Sequence, residues 1–387
     1  MQKKRKICFV LTSPIHYTRN LLILKELQKR ADVELSVALG GEIILPRATS
    51  KFSNIKELLC QQGIKRVEEL HFYLDGDQVI DKAKTLGLGI IEFSTFFSYT
   101  KPDLVVVRGD RFEVQAAAAA AVYQNIPCAH IEGGDVTGSI DETVRHAVTK
   151  LCHIHFATNE QAKNRLVRMG EDPRYVFNFG SPEIEALDYY LKQEPDLSVL
   201  KKSGSGKNLN LDDFMIVMFH PVTNQINKLS HQVKTLYEAV ADRGISTIWF
   251  YPNFDAGSEI IAQELRKLSA ADVSGMVYFS RYLSPDVFSW LLSKARCFIG
   301  NSSAGVKECS YLGIPVIDVG DRQNGRTKTK NVVSVGFGKE ELRQAIKRQL
   351  DAGRYPADKT YYVKDTSKKI AQKLATLPLY IQKMFVD

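Results

Sequence analysis

Short runs of consecutive apolar residues recur along the chain. Each is closed by a charged or glycine-containing loop that leads into a helix pattern. Ile7–Leu11 (ICFVL) and Leu104–Val107 (LVVV) are too short for helices and show no polar alternation, which is how strands buried on both faces read. The densest example is Cys128 to His155, CAHIEGGDVTGSIDETVRHAVTKLCHIH. A strand over Ile126–Ile131 ends on Glu132, followed by Gly133-Gly134, a polar loop and the start of a helix. That layout belongs to a site at the carboxyl end of a parallel sheet. Glu132, Asp135, Asp141 and Glu142 converge there, with Arg145 and His146 one helical step on. A structural loop has no need of so much charge, whereas acid/base chemistry does.

The rest of the chain repeats the alternation. Strand Ile7–Leu11 leads through the polar loop TSPIHYTR to a helix from about Asn20 to Lys29, then strand Val33–Leu39. Helix Ser53–Gln62, strand Val67–Phe72 and helix Gly76–Tyr99 come before Leu104–Val107. A helix over Val114–Tyr123 carries six consecutive alanines, a small face suited to close packing. Strand His153–Thr158, helix Glu160–Met169 and strand Tyr175–Phe179 complete this half. Residues 194–213, centred on KKSGSGKNLNLDD, read as a flexible polar linker. The second half has strands Phe214–Phe219, Ile245–Tyr251, Met276–Phe279, Cys297–Ile299 and Pro315–Val319. Its helices are Glu259–Leu268, Asp286–Ala295, Val306–Leu312, Lys339–Leu350 and Ser367–Met384. The expectation is an α/β protein of two doubly wound parallel-sheet domains, residues 1–193 and 214–365, facing each other across a cleft. Residues 366–387 form a last helix packed back on the first domain.

Polar groups stand just after strand ends in both halves: Asp110, Glu132, His220, Asn253 and Asn301-Ser302-Ser303. Any one of them is ordinary loop polarity; the repetition is what points to a cleft lined for chemistry. Gly300–Gly305 (GNSSAG) before a helix lets backbone N–H groups approach an anion, although Ser303 serving as a plain helix cap reads the same way. Glu308, on that helix, has the chemistry to accept hydrogen bonds from a ribose diol.

Composition narrows the ligand. The net charge is +8, yet the basic residues are scattered among acids and no nucleic-acid motif is present. Anionic small molecules fit better than nucleic acid or a membrane surface. The six cysteines form no C-x-x-C and several lie in apolar runs, a reduced, cytoplasmic pattern. No apolar run approaches a membrane span. Neither a P-loop nor the G-x-G-x-x-G fingerprint is present, nor a G-x-S-x-G elbow, so ATP hydrolysis, NAD chemistry and acyl hydrolysis lose support. His153 and His155 would share a strand face, but spacing places no third ligand beside them, and a structural role is preferred over a metal. No cofactor is expected.

Five runs carry a family resemblance: GDRFE (Gly109–Glu113), HIEGGDVTGSIDETVRHAVTKL (His130–Leu151), HPVT (His220–Thr223), PNFDAGS (Pro252–Ser258) and GNSSAGVKE (Gly300–Glu308). Together they resemble the hydrolysing UDP-N-acetylglucosamine 2-epimerases, along nearly the whole chain, more than the reversible non-hydrolysing branch. The resemblance implies a GT-B fold of two facing Rossmann-like domains. It implies a UDP-sugar substrate, UDP-N-acetylglucosamine converted with water to N-acetylmannosamine and UDP through a glycal, at the entry to sialic acids. Relatives act on a 2,4-diacetamido UDP-sugar leading to legionaminic acid. It places catalytic carboxylates at Asp110, Glu132 and Asp141, a histidine near the diphosphate and sugar at His220, the ribose ligand at Glu308 and an arginine near the nucleotide at Arg322. Arg111, Arg145, His146, Asn253, Asp255, Asn301, Ser302 and Ser303 become candidates around the substrate. No metal is implied, and at least a homodimer, or a homotetramer, is. A GT-B glycosyltransferase is the rival of another class, for which three carboxylates would be surplus; a silent nucleotide-sugar binding protein is a third reading. The chain departs from the family at Pro14, where an arginine is usual, and at Arg19, where a lysine is; His16 and Arg19 are the compensating candidates. Gly40-Gly41-Glu42-Ile43-Ile44 replaces a Ser-His-Leu run, and Arg108 stands where histidine precedes Gly-Asp.

Overall fold

Ile7, Phe9 and Leu11 point into one core while Cys8 and Val10 point into another, all five without solvent exposure. A strand buried on both faces needs helices on both sides of its sheet. The computed structural model describes residues 3–45, 54–76, 78–206, 209–253, 255–271, 275–281 and 283–387, with the backbone alone at 201–203. Ser53, Asp77, Lys207-Asn208 and Phe254, which the expected helices, linker and PNFDAGS run include, lie outside the described residues.

The first sheet holds β1 (Arg5–Leu11), β2 (Val33–Gly40), β3 (Val67–Leu70), β4 (Leu104–Arg108), β5 (Cys128–Ile131), β6 (Ile154–Ala157) and β7 (Val176–Asn178). Its order is β3-β2-β1-β4-β5-β6-β7, all parallel. The second holds β8 (Gly204–Ser205), β9 (Phe214–Met218), β10 (Ser246–Phe250), β11 (Val277–Ser280), β12 (Cys297–Gly300), β13 (Val316–Val319) and β14 (Val332–Val335). Its order is β14-β13-β12-β9-β10-β11-β8, with only β8 antiparallel. Counted from the first long strand of each half, both sheets run 3-2-1-4-5-6. Each therefore reverses direction between its strands 1 and 4, β1/β4 and β9/β12, and doubly wound sheets bind ligands at such switch points. The architecture is α/β, two doubly wound sheets in the GT-B manner, as expected.

Several expectations change. The helix after β1 starts at Pro14, not Asn20, because Ser13 caps it by accepting from the His16 N–H and Pro14 suits the first helical position. His16 and Arg19 thus stand on a helix rather than in a loop. The stretch expected as a flexible linker contains helix Ser198–Ser203 and strand β8, whose Ser205 pairs with Phe279. The expected helix Val306–Leu312 is two short helices, Ser303–Val306 and Glu308–Leu312, hinged at Lys307. Helices Pro182–Tyr190 and Leu229–Ala241 and strand β14 are additional. The last helix is shorter than expected, Thr366–Thr376, and Ile370, Ala371 and Leu374 join the core around β1. Beyond it, Lys383 Nζ donates to Thr149, Lys150 and Cys152 carbonyls at 3.0, 3.0 and 2.6 Å, capping helix Ile140–Leu151. Among the described residues no helix is long and apolar enough to cross a membrane.

The alanine run does what its small face suggests. Helices Val79–Thr100 and Phe112–Tyr123 lie side by side over the sheet, and a Cβ built on Gly89 would stand 2.9 Å from Ala116 Cβ. Gly89→Leu is therefore expected to overpack this contact and cost about 1–3 kcal/mol in urea denaturation. Unchanged stability would mean that the helices separate freely.

Candidate active site

The parallel strands of each sheet end on the same side, and the chain just past those ends carries the polar groups. β4 ends on Arg108 and leads to Asp110; β5 leads to Glu132; β9 leads to His220; β12 leads to Asn301. Glu132 adopts φ +72, a left-handed conformation uncommon outside glycine, and its N–H donates to Phe156 O at 2.9 Å. Backbone strain of this kind collects where a side chain must be aimed.

Two charged clusters bring the halves together. In the inner one, Arg108 is 1% exposed; its guanidinium donates to Glu183 and Asn20 and lies 3.1 Å from Glu132. Lys307, fully buried, reaches from the second half to bind Glu132, with Glu183 at 3.1 Å and Asp135 at 3.5 Å. Arg19 stands 3.4 Å from Glu308, 3.6 Å from Glu183 and 3.5 Å from Ser303 Oγ. In the outer cluster, Arg111 meets Glu113 at 3.1 Å, Glu42 at 3.3 Å and Asp255 at 3.7 Å. Asp255 meets Arg322 at 3.8 Å, and Arg322 meets Asp141 at 3.7 Å. Asp110 is ion-paired with the buried Arg145, which also donates to Asp135 O at 3.3 Å.

The histidines are held in one tautomer. His220 Nδ1 accepts from the Asn253 N–H at 3.2 Å, so its proton sits on Nε2. Its backbone is clamped by Asn301, whose side chain accepts from His220 N–H at 2.7 Å and donates to His220 O at 2.8 Å. Burial, with Arg322 nearby, lowers its pKa to about 3, so the ring is neutral. His16 Nδ1 likewise accepts from the Thr12 N–H at 3.3 Å, and burial among Arg108, Arg111 and Arg19 holds it well below the usual range. Both rings therefore present an Nε2–H donor.

The carboxylates divide. Burial and Glu183 push Glu132 up, but Lys307, Arg108 and Arg19 together outweigh them and bring it to about 2. Asp141 moves the other way: burial raises it, Asp255 adds to the rise, and Arg322 only partly opposes it. Glu308 is also raised by burial, Arg19 opposing. One of its oxygens is buried with no hydrogen-bond partner among the described residues.

Most of the candidate residues meet in these clusters, but two stand differently. His146 sits 3.9 Å from Glu142 on its own helix. Ser302, not Ser303, caps helix Ser303–Val306, accepting from the Ala304 N–H at 3.4 Å; Ser303 Oγ is left to Arg19. Lys307, Glu183, Glu42 and Glu113 escaped sequence reasoning. Glu183 follows a strand end through Gly180-Ser181-Pro182, and applying the strand-end rule there would have found it. Nothing in the local sequence marks Lys307. His153 and His155 serve structure: His155 meets Glu171 at 2.8 Å and His153 meets Ile381 O at 2.9 Å.

A family model described as UDP-N-acetylglucosamine 2-epimerase matches residues 25–375. A curated UDP-N-acetylglucosamine 2-epimerase of Neisseria meningitidis serogroup B is 32% identical over 84% of this chain and 86% of its own length. The UDP-N,N'-diacetylbacillosamine 2-epimerase (hydrolyzing) of Legionella pneumophila is 28% identical over 98% of this chain and 97% of its own. Among solved structures, a UDP-GlcNAc 2-epimerase from Neisseria meningitidis bound to UDP-GlcNAc superposes with a TM-score of 0.77 at 18% identity, covering 95% of this chain and 99% of that one. At that identity the likeness concerns the fold.

The buried imidazoles make stability depend on pH. His130, unexposed, donates from Nε2 to Gly109 O at 2.8 Å and accepts at Nδ1 from Thr149 Oγ1 at 3.2 Å. Burial lowers its pKa from 6.5 to about 3. The unfolded chain takes up a proton as pH falls through about 6.5, and the folded chain does so only near 3, so stability is lost on acidification across that window. His130→Gln is expected to flatten the urea-derived stability slope between pH 6.5 and 4.5 by up to about 1.4 kcal/mol per pH unit. An unaltered slope would mean that His130 is charged in the fold.

Proposed function

The chain belongs to the UDP-N-acetylglucosamine 2-epimerase family, and from that premise we propose that it is a hydrolysing nucleotide-sugar 2-epimerase acting on UDP-N-acetylglucosamine. The observation that carries the acid/base reading is that two carboxylates of the clusters are moved in opposite directions: Glu132, just past β5, is held ionised, and Asp141, in the first turn of helix Ile140–Leu151, retains its proton more readily. One group that stays charged and one that takes up and releases a proton more readily are what elimination followed by hydration needs. The hydrolysing branch is supported by the Legionella relative, named as hydrolysing, which aligns over 98% of this chain.

In the proposed reaction a strand-end carboxylate takes the C2 proton. The C2–H electrons form the C1=C2 bond, and the C1–oxygen pair leaves with UDP. Water then adds its hydroxyl to C1, and a proton reaches C2 from the opposite face, giving N-acetylmannosamine. Glu132 acts ionised, facing the positive charge that builds at C1 as the bond breaks. Asp141 supplies the proton in the hydration step, and Asp110 is oriented by Arg145. The neutral His220 donates from Nε2 to the leaving diphosphate, where Arg19, Arg111, Arg322 and Ser303 add cations and a hydroxyl. Asn301 holds His220, and Asn253 with Asp255 sets its far side. Glu308, with its unpartnered oxygen, receives the ribose diol.

A second substrate, the 2,4-diacetamido-trideoxy UDP-sugar, is favoured by one feature. The replaced loop after β2 puts Glu42 against Arg111 at 3.3 Å, an added hydrogen-bond acceptor at the cleft. Proton NMR in D₂O tests the proposal. Incubation with UDP-N-acetylglucosamine is expected to yield N-acetylmannosamine deuterated at C2 with equimolar free UDP. An epimerised sugar still attached to UDP would place the enzyme in the non-hydrolysing class, and turnover of the diacetamido sugar alone would select the second substrate. Glu132→Gln is expected to lower turnover by about 10²–10⁴-fold while calorimetric UDP binding stays near normal. Near-normal turnover would remove Glu132 from the mechanism.

A further inference from the structure

Lys307 is the cation that neither sequence pattern nor composition singled out, and it is the most completely buried one at the site. Its side chain has no exposure, and its backbone forms the hinge between two short helices of the second half. The ammonium meets three carboxylates of the other half: Glu132 in direct contact, Glu183 at 3.1 Å and Asp135 at 3.5 Å. Two of its protons are donated to Glu132 and Glu183, and Asp135 lies within ion-pair distance. An unbranched apolar side chain would fill the same space without the desolvation that a buried ammonium suffers.

We infer that Lys307 is a positioning residue for Glu132: an ammonium carried in by the second half that, with Arg108, grips one carboxylate oxygen each and holds the group aimed. The inference rests on the reading of Glu132 as a participant in the reaction. Arg108 lies 3.1 Å from the second oxygen of Glu132, so neither oxygen is left to rotate away. Glu183 bonds both Arg108 and Lys307 and thereby sets the spacing of the two cations. This arrangement belongs to this chain's own residues, since Arg108 replaces the usual histidine before Gly-Asp.

The charges around Glu132 fix the sign of the effect. Arg19 on helix Pro14–Gln28 and Arg326 beyond β13 add to Lys307 and Arg108. Glu183 opposes them, and Asp135 is shared through Lys307. His16 and His130 are held neutral, and burial raises the Tyr361 phenol above its ordinary range, so these three carry no charge near neutrality. Removing the Lys307 charge therefore moves the Glu132 carboxyl upward.

Lys307→Met and Lys307→Arg separate this role from mere packing. With the UDP-sugar that turns over in the deuterium assay, Lys307→Met is expected to move the acid limb of the kcat–pH profile up by at least about one pH unit. At pH 6, where Glu132 is still ionised, loss of aim is expected to lower kcat about tenfold or more with KM little changed, and Lys307→Arg to restore both the limb and kcat. In parallel, protein labelled at the glutamate carboxyl carbon with ¹³C gives a titration independent of turnover, the Glu132 signal being the one lost in Glu132→Gln. That signal is expected to titrate at higher pH in Lys307→Met. An unmoved limb and an unmoved titration would overturn the inference. If Glu132→Gln retains full turnover, the reading of Glu132 fails, and the titration still decides whether Lys307 holds it. Should Lys307→Met not fold, Lys307→Met with Glu183→Gln removes one surplus buried carboxylate, and the same two shifts are expected of it.

Discussion

The structure depends on a buried exchange of charge between its two halves. Glu132 and Glu183, on the first half, are paired with Lys307 from the second, and Arg108 completes the group from beneath. None of these charges is tolerable alone in so dry a place; each persists because the others satisfy it. The halves are thus joined by charge at the site itself as well as by the apolar contact of Ile184 with Val306 and Tyr361. Arg19 with Glu308, Arg111 with Asp255 and Arg322 with Asp141 repeat the connection farther out. These outer cations, too, are engaged by the protein's own carboxylates.

The duplicated topology explains why the site lies where it does. Two sheets of the same 3-2-1-4-5-6 order each open a crevice between strands 1 and 4. Turning those crevices toward each other brings Arg111 and Asp141 of one half to Asp255 and Arg322 of the other. The imidazoles of His16 and His220 share a further property: each accepts a backbone N–H at Nδ1, and burial beside arginine keeps it uncharged.

Much of this was legible beforehand, and the failures are instructive. The strands were found because burial on both faces leaves a local mark, an unbroken apolar run. The strand-end rule found Asp110, Glu132, His220 and Asn301 for the same reason. The helix start at Pro14 was misplaced because polar residues in a first turn look like a loop; the Ser13-Pro14 cap is the better signal. The expected linker contains helix Ser198–Ser203 and β8, and β8 owes its form to pairing with β11 rather than to its own composition. Lys307 was passed over because a lysine between valine and glutamate looks like any solvated helix residue.

The amino-acid sequence by itself determined the alternation of strand and helix, the two-layered repetition and the identity of the groups available for chemistry. These follow from local periodicity and from residue type, which a few neighbours are enough to express. Only the tertiary structure decided which charge meets which. Lys307 and Glu132 lie 175 positions apart, Arg19 and Glu308 289. Whether a carboxylate is held ionised or made to keep its proton depends on burial and on cations brought from such distances. Glu132 and Asp141 are alike as side chains and nine residues apart in the chain, yet their surroundings move them in opposite directions.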